Sequence, residues 1–233
     1  MSGGADWFFA AMEASWPAAG LRRCGPFLLR DGAGGGQRVS AATAEGAWGE
    51  ADLAAAEAAM AAPLFLIRPG EAALDAALEA RGYRRHDPVV AYAAPVEGLV
   101  AELPPLAAFA HWPPLEVART IWAEAGIGAG RIAVMERADG AKAAILARAG
   151  DRPAGVAYLA CVGDEAMIHA VEVRESFRRR GIGRHLMQAA AGFAAAQGAR
   201  RLSLAVTERN LAARALYEGL GMAPVTNYHY RVR

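Results

Sequence analysis

Val171-Glu172-Val173-Arg174-Glu175-Ser176-Phe177-Arg178-Arg179-Arg180-Gly181-Ile182-Gly183-Arg184 is the stretch on which the reading of this chain turns. An apolar strand ends at Val173. A basic loop with two glycines follows and opens a helix. Glycines let backbone N–H groups approach a ligand without a side chain in the way. The first turn of a helix carries unpaired N–H groups and a partial positive charge, so this junction suits a phosphate or pyrophosphate. Arg178, Arg179, Arg180 and Arg184 add charge-assisted donors. The plainer alternative is a solvated basic turn. Against it, four arginines at the electropositive end of a helix repel the dipole unless an anion compensates them.

Outward from this loop, 166–173 reads as the strand that enters it and 183–197 as the helix that leaves it. Residues 202–206 read as a strand, 211–218 as a helix closed by Gly219 and Gly221, and 223–232 as a final strand. Upstream, the runs 131–137, 142–148 and 153–162 read as strands of an antiparallel meander, with turns at Gly140 and Gly150-Asp151. A helix over 115–125 precedes them, after a connector containing Pro104-Pro105 and Pro113-Pro114. The order is a meander followed by strand–helix–strand–helix–strand. It predicts an α/β protein with a mixed sheet and helices on its faces.

The first hundred residues show helices over 6–15, 52–61 and 71–80, and strands over 25–30, 37–41, 63–67 and 89–93. The run Gly34-Gly35-Gly36 reads as the turn of a hairpin between 25–30 and 37–41. It lacks the Gly-Lys-Ser/Thr ending of a phosphate loop, and no helix signal follows it at once.

Composition narrows the classes. A hydrophobic fraction of 55% supplies a core and argues against a disordered chain. Lys+Arg 25 against Asp+Glu 24 argues against a general nucleic-acid binder, as does the lack of aromatics interleaved with the arginines. Cys24 and Cys161 form no CxxC pair, and the five histidines show no ligand spacing, so no metal is expected. No apolar run is long enough to span a bilayer, and Met1–Asp6 lacks the basic start and apolar stretch of a signal peptide. A cytoplasmic protein is the expectation.

Arg178-x-x-Gly181-x-Gly183 matches the Q/R-x-x-G-x-G/A motif of the GNAT superfamily of acyl-CoA-dependent N-acyltransferases. Downstream, Asn210-Leu211-Ala212-Ala213-Arg214-Ala215-Leu216-Tyr217-Glu218-Gly219-Leu220-Gly221-Met222 resembles that family's N-x-x-A-x-x-L-Y-x-x-x-G-F segment, with Met222 in place of the usual aromatic. The resemblance covers roughly 115–233. It implies that the loop binds the pyrophosphate of acetyl-CoA, the cosubstrate, through Arg178, Arg179, Arg180, Gly181, Ile182, Gly183 and Arg184. It implies that the strand at Val171 and Val173 pairs with the pantetheine arm and that the next strand splays away. Asn210 is then either the N-cap of its helix or a cofactor contact, with Ala213 one turn on.

Tyr217 lies seven residues after Asn210, on the same helix face. Within the resemblance it is the acid that protonates the departing thiolate; outside it, a core aromatic. For the base, the strand offers His169 and Glu172. Their odd separation puts them on opposite faces, so that only one looks into the acceptor site unless a bulge intervenes. Either could instead be a satisfied partner in the sheet.

Residues 1–98 look like a degenerate half of the same fold. The strand 63–67, helix 71–80, Gly82-Tyr83 and strand 89–94 run parallel to 202–204, helix 211–218, Gly221-Met222 and 228–232. No R-x-x-G-x-G loop is present. The expectation is two small GNAT-like units in tandem, 1–98 inactive and 99–233 catalytic. Its function is N-acetyl transfer from acetyl-CoA to a small-molecule amine or a protein amino group, and a homodimer is compatible with it. The alternative is a CoA-binding regulatory or scaffold module without turnover.

Overall fold

Residues 4–233 are those the computed structural model describes; Met1, Ser2 and Gly3, at the start of the stretch inspected for a targeting signal, lie outside them. In the first part come α1 (Asp6–Ser15), β1 (Gly20–Cys24), β2 (Phe27–Asp31), β3 (Thr43–Ala44), α2 (Glu50–Ala58), β4 (Leu64–Ile67), α3 (Ala72–Ala80) and β5 (Arg84–Pro95). Then follow β6 (Ala108–His111), α4 (Glu116–Glu124), α5 (Ala129–Arg137), β7 (Lys142–Ala149), β8 (Arg152–Val162), β9 (Glu165–Val173), α6 (Ile182–Ala196), β10 (Arg201–Thr207), α7 (Leu211–Glu218) and β11 (Ala223–Val232).

Strands of both parts form one eight-stranded mixed sheet in the order β4-β11-β5-β10-β9-β8-β7-β6. Strand β5 lies between β10 and β11 and is antiparallel to both. Strand β11 in turn lies between β5 and β4. The two strand–helix–strand units β4-α3-β5 and β10-α7-β11 are thus interlocked, each placing its last strand against the first strand of the other. A parallel bridge between Ala42 and Phe65 ties the small sheet β1-β2-β3 to the edge strand β4.

Both faces of the large sheet are covered, which is why its central strands are apolar without alternation. In β7, Ala143, Ile145 and Ala147 pack with Leu186, Ala190 and Ala194 of α6. The intervening Ala144 and Leu146 pack with Trp122 of α4 and Ile132 and Met135 of α5. Helix α1 lays Phe8 and Met12 on Leu66, Ala91, Met167 and Tyr228, so it bridges strands of both parts. A separate cluster of Phe27, Leu53, Phe65, Leu74 and Leu78 holds the first part together.

Two expected strands take another form. Residues 131–137 lie within helix α5, because Ile132 and Met135, one turn apart, both have to reach the layer that covers Tyr158. The apparent alternation of Ile132 and Val134 fits a helix as well as a strand over so short a span. Residues 37–41 do not return as a strand either: Gln37–Val39 is one turn of 3-10 helix. Strand β2 pairs instead with β1 around Gly25, whose φ of 57° fits the tight turn. Strands β1, β3 and β6 were not expected from the sequence.

The glycine run 34–36 is a close-packed loop against α5. A Cβ on Gly35 would stand 2.4 Å from Val134 Cγ2, and one on Gly130 2.3 Å from the Gly34 carbonyl oxygen. At Gly36 a Cβ would stand 3.3 Å from Arg131 Nε, so the glycine lets that arginine lie across the loop.

Candidate active site

Strands β9 and β10 are parallel and pair only over three residues, Arg201 with Glu165, Leu202 with Ala166 and Ser203 with Met167. Beyond Met167 they diverge. The backbone edge of β9 from Ile168 to Val173 then has no ladder on the β10 side; the Ala170 carbonyl accepts from Trp122 Nε1 at 2.9 Å and the Val173 carbonyl from Arg178 Nε, and the other groups on that edge face the opening. A cleft of about 510 Å³ occupies the opening, lined on the strands by Ile168 to Glu172 and by Leu204 to Thr207.

The face on which each β9 side chain falls is set by a bulge. Val156 of β8 stands opposite Glu172 and Tyr158 opposite His169, so two steps on β8 match three on β9. The extra residue is taken up at Ala170, whose φ is 50°. His169 and Glu172 therefore share one face despite their odd separation. Val171 and Val173 turn to the opposite face and pack against the core beneath α6, so that their backbone, not their side chains, borders the opening.

His169 is buried, at 6% exposure. Its Nδ1 lies 2.9 Å from Arg38 Nη1 and its Nε2 2.9 Å from Ser15 Oγ. A guanidinium only donates, so Nδ1 accepts and the ring proton sits on Nε2, which donates to Ser15. Ser15 Oγ in turn donates to the Met12 carbonyl at 3.5 Å. Burial first, and the Arg38 charge second, hold the imidazole well below its usual range, so it is neutral and its one lone pair is engaged. Glu172 differs. Burial raises its carboxyl above the usual range, opposed by the charges of Arg178 and Arg131, and no protein donor is bonded to it among the described residues.

Tyr217 is 5% exposed and lines the cleft from α7. Burial, with a contribution from Glu172, pushes its phenol up to about 12. Asn210 begins the same helix, and its Oδ1 accepts from Ala213 N–H at 3.1 Å, so it is an N-cap. It also borders the cleft. Tyr92 of β5 ties the two parts together behind α7: its hydroxyl donates to Glu218 Oε1 at 2.5 Å and accepts from Arg214 Nε at 3.1 Å.

The loop from Arg178 to Arg184 lies at the end of β9. Arg179 (φ 59°) and Gly181 (φ 80°) are both left-handed, and Gly181 is the N-cap of α6 without a side-chain cap. The first intrahelical bond runs from His185 N–H to the Gly181 carbonyl, so the amides of Ile182, Gly183 and Arg184 precede the ladder. Arg178 Nε donates to the Val173 carbonyl at 3.3 Å and Arg184 Nη2 to the Gly219 carbonyl at 3.3 Å. Arg180 stacks on Phe177 at 5.7 Å. A Cβ on Gly183 would stand 2.8 Å from Leu216 Cδ2, so this glycine also sets the approach of α6 to α7.

The cleft has walls that the sequence did not announce. Trp16, Gln37, Arg38, Asp87 and Val89 come from the first part, Arg131 from α5, and Tyr228 and Tyr230 from β11. They sit far along the chain from the loop motif, and only the interlocked strands bring them to it. Among the described residues no group of three or more His, Cys, Asp or Glu could hold a metal ion, and no helix is long and apolar enough to cross a membrane.

Comparison with known proteins agrees with this geometry. Over 63 residues the chain is 35% identical to the uncharacterized N-acetyltransferase YobR of Bacillus subtilis (strain 168), a match that spans 27% of this chain and 26% of that protein. In three dimensions it is similar to a GCN5-related N-acetyltransferase from Kribbella flavida, with a TM-score of 0.68 and 19% identity, over 100% of this chain and 96% of the other. It is also similar to a tandem GNAT protein from the clavulanic acid biosynthesis pathway, with a TM-score of 0.62 and 18% identity over 91% and 78% of the two chains. The model of the acetyltransferase (GNAT) family matches residues 102–222, just over half of the sequence, and spans the splayed strands, the loop and α7. With fold, loop and family model in agreement, the chain belongs to the GNAT family of acetyltransferases.

Proposed function

We propose that this protein transfers the acetyl group of acetyl-CoA to a primary amine by direct attack of the amine on the thioester. The observation that carries the reading is the opening between β9 and β10, which has an uncapped helix start at one end and Glu172 and Tyr217 on its walls.

The residues present fit the cosubstrate. The amides of Ile182, Gly183 and Arg184, with those of the left-handed Arg179 and Gly181, would hold the pyrophosphate. The backbone at Val171 and the Val173 N–H would pair with the pantetheine arm, the Val173 carbonyl being held by Arg178. Arg178 and Arg184 are braced on backbone carbonyls, and with Arg179 and Arg180 they supply positive charge beside that site. Asn210 shapes the turn from which α7 and Ala213 approach. Acetyl-CoA supplies an acetyl group already activated as a thioester.

Glu172 is the base in this reading. A carboxyl raised by burial sits closer to neutral pH and is a better proton acceptor than an ordinary one. It takes the proton that the amine loses as the C–N bond forms, directly or through one water. Tyr217 donates its phenolic hydrogen toward the sulfur as the C–S bond breaks. His169 serves as a pillar: both its nitrogens are engaged, so it fixes Arg38 and Ser15 against β9.

Residues 1–98 would be a degenerate unit of the same fold. The mirrored pairing of β4-α3-β5 with β10-α7-β11 supports this, as does the parallel bridge of Ala42 to Phe65, which stands to β4 as β9 stands to β10. In this reading the unit completes the sheet and supplies one wall of the acceptor site from the cytoplasmic protein's own chain. The test is calorimetry with acetyl-CoA alongside thiol release over a panel of amines. Acetyl-CoA binding with amine-dependent thiol release is the expected result, and binding without release on any amine overturns the transferase reading.

A further inference from the structure

We propose that the acceptor is an amine that carries a carboxylate a few bonds away, an amino acid in its simplest form, and that Arg38 and Arg131 bind this carboxylate. The proposal rests on the acetyl-transfer reading of the same cleft and names its substrate class.

The charges on the cleft walls are unequal. Two carboxylates border it, and one of them, Asp87, is already paired with Arg209 at 3.2 Å. The other is Glu172. Two guanidiniums border it, and neither Arg38 nor Arg131 is ion-paired to a carboxylate among the described residues. Arg38 carries the stronger evidence. Its Nη1 donates to His169, yet its buried Nε has no partner. The buried hydroxyl of Tyr228, on the wall of the same cleft, also has none. Burial works against the Arg38 charge, and the phenols of Tyr228 and Tyr230 beside it favour it, the balance lying upward. Arg38 is half-buried, and a guanidinium with its Nε buried beside two phenols and no counterion is costly and is found paired as a rule. An anionic ligand is the missing partner, and a guanidinium fork matches a carboxylate in geometry.

A simple alkylammonium is disfavoured by these walls, because the two guanidinium charges outnumber the one carboxylate, Glu172, that is not already ion-paired. A carboxylate on the same molecule reverses that sign. Spacing agrees as well. Glu172 and His169 share a face of β9 two strand steps apart, about 7 Å, and Arg38 is held at the His169 end. An amine presented to Glu172 thus places a carboxylate a few bonds away beside Arg38. The loop carrying Arg38 is held against α5 by the close-packed glycines 34–36, and the same packing positions Arg131.

The test compares the common amino acids with their decarboxylated amines in thiol release, and measures by calorimetry the binding of the same compounds to the full chain. We expect kcat/KM for the favoured amino acid to exceed that of its decarboxylated amine by at least about tenfold, the effect of one charge-assisted hydrogen bond. Arg38→Gln and Arg131→Gln should each pull this ratio toward one, and Arg38→Lys should keep part of it. A merely structural effect of Arg38 through His169 would lower both rates together and leave the ratio in place. Equal kcat/KM for the two compounds, or a ratio unmoved in both glutamine variants, overturns the proposal while leaving acetyl transfer standing. If no amine releases thiol, acetyl transfer fails instead, and calorimetry decides: binding of amino acids over decarboxylated amines, lost in Arg38→Gln, supports the carboxylate site, and no such preference overturns it.

Discussion

Tyr217→Phe isolates one hydroxyl. The ring stays, and with it the packing on Tyr92, whose centroid lies 6.1 Å away. No hydrogen bond of the Tyr217 hydroxyl is lost among the described residues, so stability should change by less than about 1 kcal/mol. The catalytic effect follows from the phenol's position at about 12. A thiol of ordinary acidity ionises at about 8.5, so full proton transfer from this phenol to the departing thiolate is uphill by roughly 5 kcal/mol. The same burial raises the thiol and narrows the gap. Tyr217 then acts mainly by a hydrogen bond that strengthens as charge builds on sulfur, worth about 1.5–3 kcal/mol. That places the loss near the lower end of the range for a general acid, about 10²-fold in kcat. The acetyl-CoA KM should hold, because the interaction strengthens only in the transition state. Thiol release from about pH 6 to 9 is the assay, and the loss should be uniform across it, since a phenol at about 12 stays neutral throughout. An unchanged kcat would return Tyr217 to the role of a core aromatic. An alkaline limb below about pH 10 that disappears in the variant would show that burial does not raise this phenol.

Glu172→Gln should abolish most of the activity, by about 10²–10⁴-fold, while raising Tm at neutral pH. The sign follows from its raised carboxyl: the folded state holds the proton to higher pH than the unfolded chain, so stability is full below the unfolded value and falls as pH rises through the folded one. The Tm difference should vanish in mild acid, which thermal scans at two pH values will show. Gly183→Val should raise the acetyl-CoA KM and also cost about 1–3 kcal/mol of stability, because its side chain meets Leu216; calorimetry and thermal unfolding read the two effects separately. A chain beginning at Leu99 lacks the strand that pairs with both β10 and β11, and should aggregate. Co-expression with residues 1–98 should restore soluble protein, and a well-folded monomer of 99–233 alone would contradict the interlocked sheet.

The loop and α7 were legible because they are local: strand, glycine turn and helix start follow within fourteen residues, and Asn210 reaches Tyr217 along one helix. The elements missed have physical reasons. Strand β1 exposes Leu21, Arg22 and Arg23, so it shows no apolar period, and β6 is a short edge strand of partly exposed residues. The bulge at Ala170 has no sequence mark, since alanine rarely adopts φ 50°, and it alone decides that His169 and Glu172 look the same way. Arg38 could not be placed by any local pattern. It depends on the exchange of β5 and β11 between the two parts, a long-range pairing on which the glycine run at 34–36 gives no information.

In the proposed reaction an acetyl group passes to an amine in the opening between β9 and β10. The most direct test is mass spectrometry of amines incubated with acetyl-CoA and the full chain, with free thiol counted in the same reaction. The expected result is an N-acetylated amine and one thiol per acetyl group, both strongly reduced in Glu172→Gln. Calorimetric binding of acetyl-CoA with neither product on any amine would contradict it, and the chain would then be a CoA-binding module without turnover.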